Sequence, residues 1–300
     1  MVIYEIQSDI ETIEENAELY EEINFHRRVE AIDYIEFHII DRIEGLLDTS
    51  YQLEELTKLK QAAERLKHQL AEIDNRLFQR LRLAIQAGIY TGTAFKDLID
   101  TYVRCDAKGS REQDAIGYDN LDLFINNLLL DNTLPIETKA RELEMVYYQQ
   151  TPARIILELI KQADFTAQDV FYDLGSGLGH VPILVNLLSG AQAKGVEFEP
   201  AYCDYARARA AELNLSRVAF IHGDARTADY SDGTVFFMYT PFAGRLLQEV
   251  LEKLHGEARK RRLRLFTYGP CTPTVSQQLW LTCVGQNQAD IYKLGVFRSL

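Results

Sequence analysis

The chain of 300 residues is short of several things. Its four cysteines, Cys105, Cys203, Cys271 and Cys283, stand far apart and form no Cys-x-x-Cys pair. That argues against a zinc site and against a disulfide framework, and no metal is expected. Long apolar runs are missing: no stretch reaches about 18 residues, so we expect no membrane-spanning helix. Met1 to Glu5 offers neither a basic segment nor a signal-like apolar core. Widely spaced cysteines and no signal together lead us to expect a cytoplasmic protein. Internal repeats and Ser/Gly-rich linkers are also absent, so separate units would pack without a flexible spacer.

Positive charge is scarce at one end. Residues 1–50 hold 14 Asp/Glu against 3 Lys/Arg, so −11 of the net −13 lies there and the rest of the chain sums to −2. The acidic segment reads either as a solvated helix face or as a surface for a basic partner. The near-neutral remainder does not exclude a nucleic acid partner. The run Arg259-Lys260-Arg261-Arg262-Leu263-Arg264 is a phosphate- or acid-contacting patch on one reading, and a solvated helix-to-strand connection on the other.

What is present supports a sizeable core: 47% of residues are hydrophobic, and the length calls for two units. Ile3, Ile6, Ile10, Ile13, Ala17 and Tyr20 recur at spacings of three and four, as do Leu56, Leu59, Ala63, Leu66, Leu70, Ile73 and Leu77. Val29 to Leu47 reads as a more apolar helix between them, and the helical region stops at Gly88. The stripes can pack on each other or pair with a second copy, giving a homodimer through the N-terminal helices. Further helices are expected at 93–103, 120–130 and 133–148, with a polar loop at 106–114. We place the boundary so that 1–132 is an all-α domain and 133–300 a second, α/β domain.

The second domain carries the chemistry. Val170-Phe171-Tyr172 reads as a strand running into Asp173-Leu174-Gly175-Ser176-Gly177-Leu178-Gly179, and a helix begins at His180. Glycine suits a turn that needs positive φ or close approach to a ligand, and a strand ending there leaves helix N–H groups beside a pocket. The spacing is neither the dinucleotide G-x-G-x-x-G nor a phosphate loop ending in Lys-Ser/Thr. An acid at the strand tip would repel phosphate and suits a cation. The stretch resembles the cofactor loop of Rossmann-like S-adenosylmethionine (SAM) methyltransferases, whose cofactor has a positive amino group and a sulfonium. A tight turn with no ligand is the alternative.

Three more strand ends follow in order. Ala191 to Val196 leads to Glu197-Phe198-Glu199-Pro200, with Glu197 18 residues past Gly179. A carboxylate at this tip matches the vicinal diol of a ribose; Glu199 is the competitor, as ribose ligand or as cap of the helix at Pro200. Phe198 covers the adenine or packs in the core. Val218 to His222 leads to Gly223-Asp224-Ala225. In the methyltransferases an acid here reaches the adenine amino group, and the next N–H a ring nitrogen, which Asp224 and Ala225 fit. Thr234 to Met238 leads to Tyr239-Thr240-Pro241-Phe242, an echo of the [DNS]-P-P-[YFW] signature of amino-group methyltransferases.

From about Tyr147 to Leu254 the chain resembles the catalytic core of the disruptor-of-telomeric-silencing type (non-SET) lysine methyltransferases and their bacterial relatives. Tyr148-Gln149-Gln150-Thr151-Pro152, Asp169 to His180, Gly195 to Glu197, Gly223-Asp224 and Thr234 to Phe242 carry the resemblance. It implies a doubly wound, mostly parallel seven-stranded sheet with a C-terminal antiparallel hairpin, here from Trp280–Val284 and Ile291–Phe297. It implies SAM as cofactor and S-adenosylhomocysteine as product. Asp173 would take the methionine amino group, Gly175, Gly177 and Gly179 the close backbone approach, Glu197 the ribose, and Asp224 and Ala225 the adenine. Gln150, beside Thr151, is the nearest match to a cofactor-touching glutamate. Tyr239 and Thr240 stand where the family has paired asparagines and are the acceptor-side candidates; His180 and His222 are weaker ones. The acceptor is open: a protein lysine, a nucleic acid or a small molecule, or none if the domain only binds SAM.

Overall fold

The computed structural model describes residues 2–47, 51–103, 120–130, 134–285 and 290–300. The chain divides into two units, Met1–Leu83 with Leu98–Gly109, and Ala84–Asp97 with Ser110–Leu300. The expected boundary at 132/133 and the expected loop at 106–114 fall outside the described residues.

The first unit is helical because its apolar residues recur at helical spacing. α1 (Val2–Glu14) buries Ile6 and Ile10. The stripe then breaks: Asn16 accepts a hydrogen bond from Glu18 N and opens a 3-10 turn, Ala17–Tyr20. Leu19 turns inward, while Ala17 and Tyr20, expected in the stripe, stay exposed. α2 (Phe25–Tyr34) passes through a π-helical stretch, Ile35–Ile40, into α3 (Asp41–Leu47). The wider π turn re-phases the helix, and Ile35, Ile39, Ile40 and Ile43 all reach the core. α4 (Leu53–Gln86) adds Leu56, Ala63, Leu66 and Leu70 to the same core, and α5 (Thr93–Tyr102) forms the helix expected at 93–103. The two stripes therefore share one interior within this unit.

Arg28 is fully buried there. It donates from Nε to Asp74 Oδ1 at 2.7 Å, from Nη2 to Glu22 O at 2.7 Å, and from Nη1 to Leu19 O at 3.1 Å and to Glu21 O. Burial outweighs the guanidinium and pushes Asp74 up to about 6.

The second unit holds a seven-stranded sheet: β1 (Val170–Leu174), β2 (Gln192–Glu197), β3 (Val218–His222), β4 (Val235–Tyr239), β5 (Arg264–Tyr268), β6 (Leu281–Cys283) and β7 (Gly295–Ser299). Its order is β3-β2-β1-β4-β5-β7-β6, parallel except for β7, which pairs antiparallel with β5 and β6. The connection between β6 and β7 includes residues outside the described set. β1 and β4 are near-continuous apolar runs because parallel strands are covered on both faces. α8 (His180–Ser189), α9 (Pro200–Glu212) and α10 (Gly244–Ala258) connect the strands, and Phe236, Met238, Leu247, Val250, Leu251 and Leu265 share one core. Strand order reverses between β1 and β4, which puts a crevice outside their C-terminal tips.

Upstream, α6 (Asn120–Leu129) supplies Asp122, whose carboxylate caps the first N–H of α7 (Ala153–Ala163) at 2.7 Å. The helix expected at 133–148 does not form: residues 134–149 run as a loop with a turn closed by Met145 N to Glu142 O at 3.0 Å and a bridge from Met145 to Phe242. Leu134, Ile136 and Leu143 are exposed, so no apolar stripe faces a core, and Glu142 and Glu144 take partners elsewhere in the chain. The basic run also resolves. Arg261 donates to Gly233 O at 2.8 Å and to Tyr230 O, and Arg264 pairs with Asp169 at 2.6 Å. Arg259, Lys260 and Arg262 stay exposed.

Candidate active site

The crevice at the strand tips is open over about 800 Å³. Its walls come from four loops: Gly175 and Gly177 after β1, Glu197 to Glu199 after β2, Gly223 to Ala225 after β3, and Tyr239 to Phe242 after β4. The loop segment 137–149 roofs it.

The glycine loop is pinned to β2. Gly175 N and Ser176 N donate to Val196 O at 2.8 and 3.1 Å, and Gly177 N to Glu197 Oε2 at 2.7 Å. Gly175 (φ +80°) and Gly177 (φ +50°) have left-handed backbones that disfavour side chains. A Cβ at Gly175 would strike Pro241, and one at Gly177 the ring of Tyr148. Glycine here lets both the fourth loop and the roof close on the first loop.

Two acids lie at the C-terminal ends of β1 and β2. Asp173 is 3% exposed, and no described residue hydrogen-bonds its carboxylate. Burial, and then the charge of Glu197, raises its pKa well above the ordinary range. Glu197 accepts from Gly177 N and, at 2.8 Å, from Glu199 N, yet burial still raises its pKa. A buried carboxylate without a partner is costly, and here a second acid sits beside it. A cationic ligand relieves both terms. SAM fits, because it brings an ammonium and a sulfonium to this wall and a ribose diol to Glu197.

Glu199 is fully engaged elsewhere. It caps α9 through Ala201 N at 3.0 Å and holds the roof through Thr138 Oγ1 at 2.7 Å and Lys139 N at 2.8 Å. Burial opposes its ionisation, but these donors win and hold it at about 2. Lys139 Nζ stands 3.3 Å from the centroid of Phe198. Asp224 lines the crevice with its carboxylate gripped by Arg226, and Ala225 N–H donates to no described residue.

At the fourth loop, Thr240 is held at φ +37°, costly for a β-branched residue. Its hydroxyl bridges Tyr268 O at 3.2 Å and Cys271 N at 3.3 Å. Tyr239 packs on Tyr268 with centroids 5.0 Å apart and approaches Gln149 Oε1 at 3.4 Å. Burial raises the phenol pKa, so it is a neutral group.

Eight of the expected residues meet in the crevice wall: Gly175, Gly177, Glu197, Phe198, Asp224, Ala225, Tyr239 and Thr240. Asp173 sits behind the glycine loop. Gly179 caps α8 and packs near Phe220 and Ala206. Gln150 and Thr151 are outside the wall: Gln150 reaches His180 Nε2 at 3.1 Å and the amide of Asn126. His180 is buried, its pKa pushed down to about 4 by burial, and it faces that amide pair. Sequence reasoning passed over the roof residues Glu137, Arg141, Tyr147, Tyr148 and Gln149, and Tyr202 on α9. The available signal was the aromatic pair Tyr147-Tyr148 directly ahead of Gln149-Gln150-Thr151-Pro152.

Residues 141–234 match the family model described as Histone methylation protein DOT1. No curated protein matches the chain. Among solved structures, it is similar to an RNA methyltransferase from Salinibacter ruber in complex with S-adenosyl-L-homocysteine, at 25% identity over 50% of this chain and 92% of that one, TM-score 0.38. It is also similar to precorrin-6y C5,15-methyltransferase from Geobacter metallireducens GS-15, at 15% identity over 52% and 92%, TM-score 0.38. With the strand order and the glycine loop, the family match makes the second unit a class I SAM-dependent methyltransferase domain, with SAM as its cofactor.

Proposed function

We propose that the enzyme transfers the methyl group of SAM to the side-chain amine of a protein lysine. The observation that carries this reading is the makeup of the crevice beyond the cofactor acids. Tyr147, Tyr148, Tyr202, Tyr239 and Phe242 line it, and aromatic faces suit both the aliphatic stem and the cationic head of lysine. The match to a histone methylation family over 141–234 supports it. A nucleic acid acceptor is less well supported, because Arg261 and Arg264 of the basic run bond to this chain's own carbonyls and to Asp169.

SAM supplies a methyl group on a sulfonium that leaves as a neutral thioether, so alignment is the main task. In this reading, ionised Asp173 holds the amino group, Glu197 takes the ribose hydroxyls on its free lone pairs, and Asp224 with Ala225 N–H reads the adenine edge. Tyr239 and Thr240 shape the acceptor side. The Tyr239 phenol stays protonated and His180 faces away, so the acceptor nitrogen sheds its proton to solvent.

Tritiated-methyl transfer into a cell lysate tests the reading. Protease-sensitive label recovered as methyl-lysine after acid hydrolysis is the expected result. Nuclease-sensitive label, or label in small molecules, replaces lysine by that acceptor, and no label under conditions where SAM binds points to a non-catalytic module.

A further inference from the structure

Arg226 lies just past the third loop, and its contacts exceed what a surface arginine needs. Asp224 Oδ1 accepts from Arg226 N at 2.8 Å and from Nε at 3.0 Å, and Oδ2 accepts from Nε at 3.0 Å and from Nη2 at 2.5 Å. The same guanidinium reaches Glu142 of the roof through Nη2, and its Nη1 lies 3.7 Å from Glu249 on α10. One cation thus ties together a crevice acid, the roof and the helix after the fourth loop.

The fork has a chemical consequence. A carboxylate gripped along both oxygens cannot rotate, and the arginine hydrogen bonds hold its pKa below the ordinary value. Such a group accepts hydrogen bonds and does not donate them. Toward a purine ring it pairs with a 6-amino group and repels a 6-oxo group.

We propose that Arg226 is a positioning residue for base recognition: by locking Asp224 as a fixed acceptor it makes the crevice select a 6-amino over a 6-oxo purine nucleoside, while its tether to Glu142 of the roof serves affinity for either base alike. The inference rests on the SAM reading of the site. Because a site built around a hydrogen bond rejects the analogue that lacks it, the selectivity is the quantity to measure.

The experiment is calorimetric titration of the full chain with S-adenosylhomocysteine and with S-inosylhomocysteine, which differ at that substituent. Wild type is expected to prefer the adenosyl form by at least about 30-fold, and Arg226→Met to shrink the preference to about 3-fold or less. Arg226→Lys keeps the charge without the fork and is expected in between; it also stands in if the methionine variant does not fold. Glu142→Ala cuts the roof tether alone and is expected to weaken both ligands alike, leaving the preference unchanged. An undiminished preference in folded Arg226→Met and Arg226→Lys overturns the proposal, as does a wild type that binds both ligands equally. A wild type that binds neither refutes the cofactor site itself, and the proposal with it.

Discussion

Each unit buries a charge, and the two charges are treated in opposite ways. In the helical unit Arg28 is 0% exposed, and three carbonyls and the Asp74 carboxylate take up its hydrogen bonds. In the methyltransferase unit Asp173 is 3% exposed, no described residue bonds to its carboxylate, and burial, then the charge of Glu197, raises its pKa. A buried charge satisfied by its own chain holds a fold together; a buried acid that no described residue bonds favours its neutral form until a cation from outside meets it. The difference separates a structural core from a ligand site without reference to any motif.

The comparison can be broken most forcefully at Arg28. Arg28→Ala strands Asp74 and three carbonyls, and the loss of one partner of such a buried pair costs about 3–5 kcal/mol. Urea denaturation followed by helical circular dichroism should show it, and a loss below about 1 kcal/mol would make the arginine dispensable. Asp173→Asn should act the other way round: SAM binding falls about 100-fold, or about 2.7 kcal/mol, while the fold survives. Gly177→Ala should cost about 1–2 kcal/mol from the left-handed backbone alone and also displace Tyr148, weakening SAM binding with little change in far-ultraviolet dichroism.

The pH dependence sharpens the same contrast. The folded pKa of Asp173 is raised, so its contribution to stability is present below the ordinary carboxyl value and is lost as pH rises through the raised one. Asp173→Asn should therefore raise Tm relative to wild type without ligand, and by more at pH 8 than at pH 5. Binding a cation should drive a proton off Asp173, visible as a buffer-dependent heat in calorimetry; its persistence in Asp173→Asn would place the proton elsewhere. The smallest effect is expected from Arg259→Ala, Lys260→Ala and Arg262→Ala together, within about 0.5 kcal/mol, since these side chains are exposed and the pair of Lys260 with Glu257 is a surface one.

Much of the second unit could be read from the sequence because parallel strands leave near-continuous apolar runs and the glycine loop has fixed spacing. The helix expected at 120–130, formed as Asn120–Leu129, the strand tips at Asp173, Glu197, Asp224 and Tyr239, and the closing antiparallel pair all follow from such local signals. The roof did not. Glu137 pairs with nearby Arg141 as a helix would have it, but it also takes Tyr202, while Glu142 and Glu144 go to Arg226 and to the first N–H groups of α10, all distant in sequence. Gln150 shows the same limit. Its place ahead of α7 pointed to the cofactor, and its amide goes instead to His180 and Asn126. Asp173 could be named from its motif, yet the fact that no described residue pairs with it is visible only in three dimensions.

The roof makes contact with all four strand-end loops: Tyr148 sits over Gly177, Thr138 and Lys139 bond to Glu199, Glu142 meets Arg226, and Val146 N donates to Pro241 O at 3.0 Å. Such a segment acts as a gauge of fixed length. A single residue added or removed between Lys139 and Tyr148 would put every later contact out of step, so this stretch should tolerate changes of side chain far better than changes of length. The amide of Val146, bonded across the crevice, is then a single-site reporter whose hydrogen exchange should slow when a ligand fills the space beneath it.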